Sequence, residues 1–295
     1  MNPANLVSLL TVTGLVAMML AMGLRVPAGE VVASSRRPWQ VASSLLANFV
    51  LVPAVTAGLL RWVDPDPMVS VGFLILAVCP GAPVGPPFAA VAKGDVPYAI
   101  GQMVILAGLS AVLSPLLLGV LLTRTVPDTD LQIDYLSIAR SLLLSQMLPL
   151  AAGLALHSRA SGLAERIAKP VGRLANVLLL VAVTLVLASQ FGALSLIRVR
   201  GWAGMLALLA ASLAIGWICG GPRRATRKSL AVTTAARNAA VALVIVSGNF
   251  AETPAVTAVV AYALVSIFGT FGCALLFGAL PAEPPFGRPG QAPAA

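Results

Sequence analysis

The chain reads as an all-α membrane protein with nine transmembrane helices. Three observations predict this. Of 295 residues, 59% are hydrophobic and only 10% are charged, and the mean hydropathy is +0.95, whereas soluble domains are nearer a quarter charged. The apolar residues fall in runs of roughly 20, about the length that a ~30 Å hydrocarbon core requires. Two of these runs carry features that a plain spanning helix excludes: a cluster of prolines in one and a lone arginine in the other.

In chain order, spans are expected at 4–24, 40–60, 68–93, 96–122, 136–156, 170–196, 202–219, 230–250 and 253–280. The start, MNPANL, lacks the basic n-region of a signal peptide, so the first run counts as a span. Residues 1–280 form one polytopic domain in this reading. The tail 281–295, PAEPPFGRPGQAPAA, is expected to be a disordered cytoplasmic segment. The net charge of +9 does not indicate nucleic acid, because the basic residues lie in short loops between apolar runs. Thirteen of them (Arg25, Arg36, Arg37, Lys93, Arg159, Arg166, Lys169, Arg173, Arg223, Arg224, Arg227, Lys228, Arg288) fall on one side and five (Arg61, Arg124, Arg140, Arg198, Arg200) on the other. The positive-inside rule then puts the N-terminus outside and the C-terminus in the cytoplasm, in the cell (inner) membrane. Asp64, Asp66, Asp128, Asp130 and Asp134 fall on the outer side.

The third run contains CPGAPVGPP at 79–87, four prolines and two glycines in nine residues. Proline removes a backbone donor and pushes its predecessor out of the helical region. The expected break, at Pro80–Pro87, leaves backbone groups that need protein or a cavity around them. A broken helix marks the binding site in many secondary transporters. The other reading is a proline-rich loop between two re-entrant pieces.

The eighth run, LAVTTAARNAAVALVIVSGNF, holds Arg237 beside Asn238, with Thr233 and Thr234 one turn earlier. Arg237 is the one formal charge that this reading must place inside the membrane, at a cost of ~2.5 kcal/mol or more. The competing reading has Arg237 snorkelling to the surface, but Arg223, Arg224, Arg227 and Lys228 already mark that surface. Asn176, Gln102, Gln146 and Gln190 are further polar residues within spans, and most such amides join interhelical hydrogen bonds. His157 lies at a helix end and reads as structural. No paired metal ligands and no nucleophile with a base stand at membrane depth, so an enzyme is not expected. No cofactor is expected, and the three cysteines, Cys79, Cys219 and Cys273, show no metal spacing.

These residues carry a resemblance. CPGAPVGPPFAAVAKGD at 79–95 resembles the Cys-Pro-Gly turn and half-helix of the bile acid:sodium symporter family. AMGLRVP at 21–27, LANFVLVP at 46–53, LSPLL at 113–117 and SLAVTTAARNAAVAL at 229–243 resemble further family stretches in the right order. The resemblance implies a panel of helices beside a core bundle, two inverted repeats of four plus five helices, and two broken helices crossing in the core. It also implies where sodium ligands would stand, and most of those positions differ here. A Ser-Asn pair becomes Gly85–Pro86, a Glu becomes Thr233, and a Gln on the second crossing helix becomes Arg237. A further Gln has a near equivalent in Asn48, and the crossing-helix Asn is kept as Asn238. Asn48, Thr233 and Thr234 are thus degenerate ion-binding positions, and sodium, a hard cation that favours oxygen ligands, loses its carboxylate.

The expected function is secondary active transport of a small organic anion by alternating access within the lipid bilayer, without nucleic acid as a partner. Arg237 would replace the bound sodium as a fixed cation, with an attraction of a few kcal/mol for an anion at ~4 Å. The expected substrate-binding set is Arg237, Asn238, Thr233, Thr270, Pro83 and Gly85. The alternative is a channel-like, facilitative anion pore without ion coupling.

Overall fold

The computed structural model describes residues 3–27, 29, 37–126, 134–251 and 253–280. Among these, every regular element is helical. The helices are α1 (Pro3–Arg25), α2 (Pro38–Val63), α3 (Pro67–Ala77), α4 (Gly85–Val91), α5 (Val96–Thr125) and α6 (Tyr135–Arg159). They continue with α7 (Ser161–Ser195), α8 (Val199–Cys219), α9 (Arg224–Ala235), α10 (Ala239–Asn249) and α11 (Pro254–Ala279). The tail 281–295 lies outside the described residues, as do Arg36, Asp128, Asp130, Glu252 and Arg288.

Eight stretches are long and apolar enough to cross a membrane, counting Arg224–Asn249, which holds α9 and α10, as one. The chain is therefore a multi-pass membrane protein. The sequence expectation was nine. Its third member is here divided between α3, with 11 residues, and α4, with 7. At 1.5 Å per residue, these rise about 16 Å and about 10 Å, so neither crosses a bilayer alone.

Two boundaries differ from expectation for clear reasons. The break between α3 and α4 runs from Val78 to Val84, and Pro86 and Pro87 lie inside the first turn of α4. An amide there has no helical partner to lose, so proline is tolerated. The basic stretch before Pro170, expected as a loop, is the start of α7, which runs unbroken from Ser161 through Pro170. Ala164, Ala168 and Ile167 pack there against Leu20, Leu24 and Leu156, and this contact holds the first turns of α7 in helical form.

Inside α2 and α6, a wide π-turn precedes a proline: Leu46–Leu51 before Pro53, and Leu143–Met147 before Pro149. An extra residue in the turn relieves the clash of the proline ring with the preceding carbonyls. Each π-turn carries a buried amide, Asn48 and Gln146.

The helices pack as two groups. In one, which we call the panel, α1 lies along α7 and α6. In the other, the core, α8 packs on α9, α11 on α3, and α4 on α9 and α5. The groups meet where α1 touches α10, where α7 touches α11, and along α5 and α6. Burial separates centre from edge: 89% of the apolar window of Arg224–Asn249 is buried, against 11% of that in α7. The panel helices α1 and α6 approach closely at Gly23 and Gly153. A Cβ at Gly153 would lie 2.5 Å from the carbonyl oxygen of Leu20.

Gly153→Leu is expected to push α6 off α1 at a cost of about 1–3 kcal/mol, the usual range for overpacking. Thermal unfolding of the purified protein in detergent measures it, and an unchanged midpoint would contradict this packing.

Candidate functional site

The break after α3 leaves its last carbonyls without helical partners. Donors from two other helices supply them. Ser114 Oγ on α5 donates to the Val78 carbonyl at 2.5 Å. The Asn238 backbone N–H donates to the Cys79 carbonyl at 2.9 Å. Asn238 Nδ2 reaches the Gly81 carbonyl at 3.4 Å, and Arg237 Nη1 reaches that of Ala77 at 3.3 Å. Gly81 turns the chain with φ +81°, a conformation that only glycine adopts readily.

The partner break lies between α9 and α10, at Ala236–Asn238. No proline or glycine causes it. Ala236 leaves the helix with ψ 107°, and Asn238 caps α10 by accepting a hydrogen bond from the Val241 N–H at 3.3 Å. Asn238 thus starts one half-helix and ties its own break to the other. All of this is buried: Ala77, Val78, Cys79, Arg237 and Asn238 are at most 2% exposed.

Arg237 belongs where it is because of the helix ends around it. α3 and α9 both terminate here, and each C-terminus carries roughly half a negative charge. The guanidinium answers that charge while spending only Nη1; Nε and Nη2 have no hydrogen-bond partner among the described residues. Two donors on one planar group suit bidentate recognition of a carboxylate.

The other predicted residues divide. Thr233 donates to Ser229 O at 2.8 Å and to Leu230 O at 3.2 Å, so its hydroxyl proton is used within its own helix. Gly85 faces it, and a Cβ on Gly85 would lie 2.8 Å from Thr233 Cγ2. Asn48 Nδ2 bridges Ser44 O at 3.0 Å and Thr234 Oγ1 at 3.2 Å, which links α2 to α9, while its Oδ1 has no partner among the described residues. Thr270 is fully buried with an unpartnered hydroxyl, and no bond joins it to this group. Pro83 lines a cavity. Among the other amides, Gln146 bonds Ser110 Oγ at 2.6 Å and the Ala107 carbonyl, Gln190 accepts from Thr257, and both amide atoms of Gln102 lack partners among the described residues. His157 Nδ1 lies 2.8 Å from Leu24 O and joins α6 to α1.

Sequence reasoning missed Ser114 as a member of the site. Its available signal in LSPLL is a hydroxyl directly before a proline inside an apolar helix.

Two cavities lie between panel and core, the smaller of them against the first break. One, of about 740 Å³, is lined by Asp64, Phe73, Gln190, Arg198, Arg200 and Thr257, among others. The other, of about 360 Å³, is lined by Arg25, Pro83, Val84, Pro86, Met103 and Asn176, among others. Arg237 lines neither. Among the described residues, no group of three or more His, Cys, Asp or Glu side chains could hold a metal ion.

Ser114→Ala is expected to cost about 1–3 kcal/mol, because it leaves the buried Val78 carbonyl unpaired. Asn238→Ala is expected to cost at least the ~0.5–2 kcal/mol of a lost cap. Because both residues hold the same break, the double variant should depart from additivity by ~0.5 kcal/mol or more. Thermal or denaturant unfolding of the four proteins measures this, and strict additivity would show that the two contacts are independent.

The model of the sodium bile acid symporter family matches residues 12–196. The uncharacterized sodium-dependent transporter YocS of Bacillus subtilis (strain 168) is 27% identical over 136 residues, 46% of this chain and 41% of the relative. A sodium-dependent organic anion transporter of Bos taurus is 26% identical over 167 residues, 57% of this chain and 44% of the relative. The matches thus span less than half the length of either relative. The family match contains the whole of α3, α4 and the break between them, and ends before α9 and Arg237. With well over half of its length matched, the chain belongs to the sodium bile acid symporter family.

Proposed function

We propose that the chain is a secondary transporter of a small organic anion, and that it works without a bound sodium ion because Arg237 supplies the cation. The observation that carries this is the guanidinium buried at the ends of α3 and α9, bonded to the Ala77 carbonyl at 3.3 Å. C-terminal ends of half-helices are where transporters of this type coordinate cations. A side chain that already carries a charge there opposes a second cation by several kcal/mol at short range and low dielectric. The name of the bovine relative supports an organic anion as the substrate class, while sodium dependence in both relatives' names is the property that Arg237 argues against here.

Two cavities at different heights along α7 support alternating access between panel and core. Asn176 lines one and Gln190 the other, 14 positions apart in sequence, about 21 Å along the helix. The breaks themselves are buried, and Arg237 lines neither cavity, which supports a transporter that must change conformation over a standing pore. In this proposal α3 and α4 count as one crossing, giving nine. The two interrupted helices are then counterparts in inverted halves, with the N-terminus outside and the C-terminus in the cytoplasm of the cell (inner) membrane. Asn48, Thr233 and Thr234 serve as packing and hydrogen-bonding residues in this scheme, and Asn238, Pro83, Gly85 and Thr270 border the substrate path.

Uptake into proteoliposomes should saturate with substrate and proceed equally in sodium and in choline buffer. Uptake that vanishes without sodium would sink the proposal, and uptake that never saturates would favour a pore. Arg237→Gln should lower uptake at least tenfold in choline buffer; unchanged uptake would remove Arg237 from the mechanism. Orientation is checked with Gln291→Cys: an impermeant maleimide should label it in inverted vesicles and not in intact cells.

A further inference from the structure

We propose that the chain holds the phosphate group of an anionic phospholipid at the start of α9, between Lys93 and Lys228. Neither residue lines a cavity described above, and the inference stands whatever substrate is carried.

The two lysines belong to the two interrupted helices. Lys93 follows α4, and Lys228 opens the second turn of α9. The Asp95 N–H donates to the Ala225 carbonyl at 3.1 Å, and Ser229 Oγ donates to the Asp95 carbonyl at 2.9 Å. Gly94 permits this approach, because a Cβ there would stand 2.5 Å from Ser229 Oγ. The turn that carries Lys93 is thus stitched to the first two turns of α9. Lys93 closes α4 in the left-handed conformation, φ +51°, a place usually taken by glycine.

Three observations make this corner a phosphate site. α9 begins at Arg224 with no side-chain cap on its amides, and its N-terminus carries about half a positive charge. Lys228 is only 3% exposed and has neither a hydrogen bond nor an ion pair among the described residues. Helical side chains lean toward the N-terminus, so Lys228 lies along the first turn of α9. The charges that act on it are those of Lys93 and Arg224, both of like sign. Asp95, two residues from Lys93, spends a carboxylate oxygen on capping α5 through the Tyr98 N–H. A covered ammonium beside two cations is costly unless an anion joins them.

The surroundings favour lipid as the source of that anion. α8 and α11 end at the same corner, joined by the Trp217–Phe277 ring contact at 5.3 Å. A Cβ on Gly278 of α11 would stand 2.4 Å from the Val91 carbonyl, in the segment that leads to Lys93. Beside these rings, Ile218 and Leu276 are 75% and 68% exposed. Exposed apolar side chains next to a cluster of cations match an acyl chain beneath its headgroup, and aromatic rings are frequent at that level. One phosphate here joins the two interrupted helices at their surface ends, as Asn238 joins them at the breaks.

The test uses the purified full chain, delipidated in a neutral detergent. Binding to the folded state raises the melting temperature by mass action. The probes are dioleoyl phosphatidylglycerol, dioleoyl phosphatidylcholine as the zwitterionic control, and glycerol 3-phosphate as a soluble phosphate. Phosphatidylglycerol should stabilise the wild type and the other two should not. Lys93→Gln combined with Lys228→Gln should weaken the apparent affinity at least about tenfold. The same charge change on α7, Lys169→Gln combined with Arg173→Gln, should alter it less than about twofold. Lys93 is exposed, so Lys93→Gln alone carries the test should Lys228→Gln fail to fold. Wild-type affinity in Lys93→Gln and in the double variant would overturn the site. So would an equal loss in both double variants, which marks a diffuse surface charge. Equal stabilisation by phosphatidylcholine would overturn the anionic headgroup, and equal stabilisation by glycerol 3-phosphate would overturn the lipid. Each of these results leaves the transporter reading standing, because that reading is tested by uptake.

Discussion

Carbonyl groups that have lost their helix are the constraint on which this structure depends. α3 stops at Ala77, deep among other helices, and its terminal oxygens cannot turn to water. Each must be met by a donor from elsewhere in the chain, since an unmet group in an apolar surround costs several kcal/mol. Ser114, Arg237 and the two donors of Asn238 meet four of them. The positions of α5, α9 and α10 follow from that requirement. So does the second break, because Asn238 can present its backbone N–H to Cys79 only by leaving its own helix.

The same requirement explains a cation in an apolar bundle. Two helices, α3 and α9, end at the breaks with their negative poles together, and the Arg237 guanidinium lies at those ends, bonded to the Ala77 carbonyl. A mobile ion and a tethered guanidinium are two physical answers to one field. A mobile ion can leave and couple its own gradient to transport. A tethered one stays with the chain. Asn48 and Thr234, bonded to each other at 3.2 Å, tie α2 to α9.

Panel and core differ in how they are held. The panel depends on close backbone approach at Gly23 and Gly153, with little polar bonding beyond Arg25 to Ala168 and His157 to Leu24. The core depends on the buried polar links around the breaks. Between the two groups, the contact of Thr257 with Gln190 is one of the few hydrogen bonds. The interface between the groups is thus mostly apolar and interrupted by cavities, whereas the core is tied through four buried carbonyls.

Much of this was legible in the sequence, for definite reasons. Apolar runs of bilayer length determine helices because lipid offers the backbone no other partner. The prolines of 80–87 determine that the third run breaks, and a buried Arg237 beside Asn238 determines that the eighth is special. Motif order was enough to suggest the family, which the match over 12–196 then established. Tertiary structure decided the rest. It shifted the first break to Val78–Val84, because prolines are harmless in the first turn of α4. It kept α7 helical through Pro170, because α1 packs along that segment. It alone determined the second break, which no local residue requires and which exists because Cys79 and Gly81 need donors. It also brought Arg25 and Asn176, 151 positions apart in sequence, to one cavity. Local chemistry states what each segment needs; only the folded chain determines which distant group supplies it.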